Sequence, residues 1–160
     1  MEKVSILSLS LILTTAFSIS SAQSAMFAFY KGIPESWVEL LVSLPSAGIM
    51  LMLLFNRVIE KYLTERQMIV SGLLIFSLCG LLPLLNQSYW LMFVSRLVFG
   101  MGIGLLNAKA ISIVSERYKG QERVRLLGLR GSAEVVGTAL LTFGVSRLLP
   151  LGWQAAFLVY

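Results

Sequence analysis

The sequence predicts an all-α fold, a polytopic membrane helix bundle with five complete transmembrane helices and the start of a sixth. Three observations carry this. Of the 160 residues, 57% are hydrophobic and 13% are charged, where an ordinary soluble domain has roughly 25% charged. No charge occurs from Val4 to Tyr30, from Leu40 to Asn56 or from Gln67 to Ser95. Short polar breaks separate these runs, and apolar runs of about 18 or more residues read as membrane-crossing helices. A water-soluble globule is excluded.

Each span follows from its breaks. The first covers about 4–29 and ends at Lys31-Gly32-Ile33-Pro34. Lys3, the apolar stretch and Ser21-Ala22-Gln23-Ser24-Ala25 also have the outline of a cleavable signal peptide. The apolar stretch runs past that small-residue site and four more spans follow, so a retained helix is expected. The second span covers 37–55, with Pro45 and Gly48 inside it, and the charged stretch Asn56 to Arg66 follows. The third, 68–85, closes at Asn86-Gln87-Ser88. The fourth, 89–115, leads into a charged connection from Glu116 to Arg125. The fifth, 126–148, is broken by Pro150-Leu151-Gly152. The apolar run 153–160 rises only about 12 Å as a helix, against a hydrocarbon core of about 30 Å. It reads as part of a sixth helix, and the chain as a piece of a larger protein.

The net charge of +5 is a topology signal. Lys3, Arg57, Lys61, Arg66, Arg117, Lys119, Arg123, Arg125 and Arg130 fall on one side of the membrane, and Lys31 and Arg147 on the other. The richer side is expected to be cytoplasmic, with the amino terminus inside and anionic headgroups as the partner of the charge. Nucleic acid is not an expected partner. All eight acidic residues are Glu and there is no His. Imidazole bases, imidazole metal sites and aspartic dyads are thereby excluded, so no enzyme is expected and no cofactor or metal is implied. The lone Cys79, in an apolar run, reads as a buried, inert thiol.

Three charges fall inside spans: Arg96, Lys109 and Glu134. Charges at such depth face a bundle interior or a wet cavity. At 100° per residue Arg96 shares a face with Gly100, Ile103, Asn107 and Ile111, a stripe suited to a cavity wall or a close helix contact, with snorkelling of Arg96 to the outer interface as the competing reading. Gly100, Gly102 and Gly104 let another backbone approach closely. Lys109 points about 140° away from Arg96, so these two are not expected to share a pocket. Lys109 and Glu134 lie about 10 Å from the same membrane face on consecutive antiparallel helices. An ion pair between them is expected, which would reduce the desolvation cost of each. In span one, Thr14, Ser18 and Ser21 form with Ser10 a polar face that could wall a substrate path. Bonding to their own backbone carbonyls is the competing reading.

These residues resemble the amino-terminal half of a major facilitator superfamily (MFS) transporter. Arg96 followed by Gly100, Gly102 and Gly104 is similar to that family's fourth-helix motif, whose arginine is linked to proton coupling in antiporters. Glu116 and Arg123 match the Glu and Arg of its fourth-to-fifth connection. Gly152-Trp153-Gln154-Ala155-Ala156-Phe157 resembles the Gly-Trp-Arg-x-x-Phe opening of its sixth helix. The second-to-third connection departs from the family's Gly-x-x-x-Asp-x-x-Gly-Arg. It has Asn56, Glu60 and Leu63 at the leading positions, Thr64 next, and Arg66 as the nearest basic residue. Glu60 keeps an acceptor there, while the glycine turn is absent. Span five lacks the Gly-Pro-x-x-Gly-Gly run of many antiporters, which leaves the direction of transport open.

The resemblance implies one unit over residues 1–160, a partial six-helix bundle. It implies a transported small solute or drug, and a second half or second copy to complete the path. Arg96, Asn107, Lys109 and Glu134 are then the coupling candidates, and Glu60, Arg66, Glu116 and Arg123 the cytoplasmic gate candidates. The competing class is a small multispan interaction or assembly protein, or a remnant that transports nothing by itself.

Overall fold

The computed structural model describes residue 14 and residues 23–85 and 88–148. Five α-helices make up this part: α1 (Gln23–Phe29), α2 (Glu35–Tyr62), α3 (Glu65–Leu85), α4 (Tyr89–Arg117) and α5 (Gly120–Leu148). Among the described residues, α2 to α5 are long and apolar enough to cross a membrane. Span one is represented by α1 and Thr14. Ser18, Ser21 and the 153–160 run lie outside the described residues.

The helices outrun the expected spans. The α2 helix continues past Phe55 to Tyr62, and α5 begins at Gly120 instead of Leu126. The two charged connections shrink to Leu63-Thr64 and Tyr118-Lys119. Hydropathy marks only the lipid-immersed part of a helix. The backbone hydrogen bonds run on for as long as good helix formers such as Arg57, Glu60, Lys61, Glu122 and Arg123 continue.

Local chemistry sets both turns. The α2 helix stops where Leu63 turns extended (φ −114°, ψ 135°). Thr64 and Gln67 then form a capping box: Gln67 N donates to Thr64 Oγ1 at 3.3 Å, and Thr64 N donates to Gln67 Oε1 at 2.9 Å. That box replaces the missing glycine turn. At the other connection Gly120 takes φ +58°, in the left-handed region that glycine enters without a Cβ penalty.

The centre of the bundle is α4, which packs against both α2 and α3 and more lightly against α5. Its glycines divide between two seams. A Cβ on Gly100 would collide with the carbonyl oxygen of Pro45 and stand 2.6 Å from its Cα, and one on Gly104 would meet Met52 Cβ at 2.7 Å. Gly48 answers from α2, where a Cβ would stand 2.8 Å from Met101 N. Gly102, two residues from either neighbour and so on the opposite face, packs on α3 at Gly72 and Ile75. Backbones in contact gain dispersion along their length without ordering long side chains, which is how helices associate in lipid.

An aromatic cluster closes one end of the bundle. Tyr89 Oη donates to the carbonyl of Trp37 at 3.0 Å, and Tyr30, Trp90 and Phe93 pack around Tyr89 edge-on or tilted. Met26, Val38, Leu41, Met92 and Val145 fill the space beneath. Tyr and Trp with one wet and one apolar side suit a membrane interface.

A buried arginine and two polar seams

Arg96, on the central helix, is 1% exposed. Its guanidinium carbon lies 5.0 Å from the centroid of the Phe99 ring, which stacks on Phe76 of α3 at 5.1 Å. Ile49 and Ile103 complete this cluster, and Cys79 is half-buried against it. The cation therefore sits on an aromatic face, which offsets part of its desolvation. The stripe expected from Arg96 to Ile111 is divided among neighbours. Gly100 meets α2, Ile103 joins the aromatic cluster, and Asn107 and Ile111 face α5.

Lys109 anchors the first polar seam. Its Nζ lies 3.1 Å from Glu65 Oε1 and 3.5 Å from Glu60 Oε1, with its side chain 7% exposed. Glu65 Oε2 in turn meets Arg117 Nη2 at 3.4 Å. One lysine thus ties the end of α2 to the start of α3, and Arg117 extends the chain to the last turn of α4. Ser112 Oγ donates to Glu116 Oε1 at 2.5 Å nearby. Arg66 and Arg123 are exposed, so of the four gate candidates Glu60 is the one in contact with Lys109.

The expected pair of Lys109 with Glu134 is not formed. Residues two apart on a helix point about 200° apart. Asn107 faces α5, so Lys109 faces away from α5 and toward the α2–α3 junction. Depth alone put the two charges level. Azimuth separates them.

Glu134 belongs to the second seam. Its Oε1 lies 3.0 Å from Arg130 Nη2, one turn earlier on α5, and the same nitrogen donates to Asn107 Oδ1 of α4. Arg130 is 6% exposed. The charge distribution counts it with the cytoplasmic basic residues, whereas the early start of α5 puts it about 15 Å along the helix. Asn107, Ile111, Leu127, Arg130, Gly131 and Glu134 line a cleft of about 330 Å³. Sequence reasoning missed both Arg130 and Glu65. The signals were present: an i,i+4 Arg–Glu pair in α5, and a Thr-x-x-Gln capping box that starts α3 at Glu65.

The described side chains thus bury charge in three separate places: Arg96 on aromatics, Lys109 on two glutamates, and Arg130 between Asn107 and Glu134. Such charges mark solute or ion pathways in membrane proteins. A comparison with curated proteins gives no match. The family profile described as Major Facilitator Superfamily matches residues 4–160, nearly the whole chain. Its members are transporters, and the four long apolar helices with charged residues among them fit that architecture. This multi-pass membrane chain belongs to the Major Facilitator Superfamily.

Proposed function

We propose that the chain forms the amino-terminal bundle of a secondary active transporter that moves a small solute or drug across the cell membrane. Its amino terminus is cytoplasmic in this reading, because eight of the basic residues then fall on the inner side. The observation that carries the reading is the burial of Arg96 in the most enclosed helix of the bundle. A cation kept at that depth is costly, and its retention there points to coupling or substrate contact. Arg96 couples proton movement to transport. Asn107, Lys109 and Glu134 contribute to coupling from separate places on α4 and α5, and Gly100, Gly102 and Gly104 keep the bundle rigid as it rocks. Glu60, Arg66, Glu116 and Arg123 form the cytoplasmic gate, and Thr14, Ser18 and Ser21 line the path. A second half or second copy supplies the opposing wall, since alternating access needs two bodies moving about one site.

The test is flux into proteoliposomes with and without an imposed proton gradient. Gradient-driven flux is expected to fall at least tenfold in Arg96→Ala and less in Arg96→Lys. Equal flux in wild type and Arg96→Ala overturns the coupling role. If no solute moves under any gradient, the assembly-protein reading takes its place.

A further inference from the structure

We infer that the α4–α5 cleft is a binding site for a small carboxylate-bearing solute, with Arg130 as its counter-ion and Glu134 as the internal carboxylate that occupies Arg130 until the solute arrives. This rests on the transporter reading for its purpose, since it names a substrate class, but it concerns a site apart from Arg96.

The geometry leaves one donor of the guanidinium unused. Glu134 reaches Arg130 through one oxygen on Nη2, and Asn107 takes the same nitrogen. The Nε–H on the same edge is shielded from solvent and has no hydrogen-bond partner among the described residues. An arginine fork binds carboxylates best through two parallel N–H bonds. Its five donors are expensive to bury unsatisfied. A solute carboxylate can span Nε and Nη2, which Glu134 does not do here. The cleft volume falls in the range of small-molecule pockets, roughly 300–1,000 Å³. Ile111 and Leu127 offer an apolar wall for the body of the solute. The Glu134 side chain, 27% exposed, is the more accessible partner and can turn toward water when displaced.

A soluble carboxylate and a lipid phosphate share the same oxyanion chemistry, so the test separates them. Binding of radiolabelled benzoate is measured to the whole protein in nanodiscs of phosphatidylcholine, and again with phosphatidylglycerol added. Saturable benzoate binding is expected in phosphatidylcholine, with neutral benzamide failing to compete and phosphatidylglycerol leaving it unchanged. Arg130→Gln is expected to weaken binding at least tenfold. Arg130→Lys, which keeps the charge and guards against loss of fold, should weaken it several-fold. Glu134→Gln should strengthen it several-fold, because the internal competitor is gone. No saturable binding, equal competition by benzamide, or Glu134→Gln weakening binding as Arg130→Gln does would overturn the proposal. Abolition of benzoate binding by phosphatidylglycerol would reassign the site to a headgroup and overturn the solute. The assay needs no flux, so its failure leaves the Arg96 result standing, and failure of flux leaves this binding standing.

Discussion

The seam between α2 and α4 and the seam between α4 and α5 join the same helix by opposite means. At the first, Gly48, Gly100 and Gly104 bring backbone against backbone, leaving no room for a single added methyl group. At the second, Gly131 has nothing within 4 Å of an added Cβ, and Arg130, Asn107 and Glu134 meet beside a cleft. Burial follows the same division: 67% of the apolar stretch of α4 is buried, against 11% of that of α5. Glycine seams pack α2 and α3 closely on α4, whereas the polar seam joins α5 to α4 through side-chain contacts.

The largest effect should come from breaking the dry seam. Gly100→Leu forces the Pro45 backbone away and is expected to cost more than about 3 kcal/mol, enough to abolish the folded bundle in some detergents. Gly131→Leu, on the open seam, should change the unfolding midpoint by well under 1 kcal/mol. Thermal unfolding of both variants in the same micelle reads the contrast. Similar losses for the two would show that the seams do not differ as described.

A smaller effect tests the Lys109 network. Lys109→Glu places a third carboxylate beside Glu60 and Glu65, and about 2–4 kcal/mol of stability should be lost. Adding Glu65→Lys should restore part of it, and adding Glu134→Lys should restore none. Rescue by Glu134→Lys would return Lys109 to the α5 side and refute the azimuth argument. The smallest effect lies at the turns. Thr64→Ala removes one half of the α3 capping box and should cost about 1 kcal/mol. An unfolding midpoint unchanged in Thr64→Ala, or lowered as far as in Lys109→Glu, would show that the box is not what sets this turn.

Much of the fold was legible because lipid imposes a simple rule. Long uncharged runs have one stable form in a bilayer, so spans two to five were found with their order and approximate centres. The helix ends were not, because Glu60, Lys61, Glu122 and Arg123 are polar by hydropathy and yet strong helix formers. The candidate site was legible in residue type and depth: Arg96, Lys109 and Glu134 stood out as charges inside apolar runs. Their partners did not follow from depth. Arg130 was concealed by its place near a basic connection, and Glu65 by lying outside the apolar run.

The sequence by itself determined that this chain crosses a membrane several times, which charges lie at depth, and that glycines on span four invite close packing. Helix period and the cost of bare charge in lipid suffice for that. Only the tertiary structure decided which neighbour each face of α4 meets. Gly100 went to α2, Gly102 to α3 and Asn107 to α5, and with those choices Lys109 turned to Glu60 and Glu65 while Glu134 stayed with Arg130. A rotation of about 200° between residues 107 and 109 is fixed by any helix, but which direction holds a partner depends on the packing of the whole bundle.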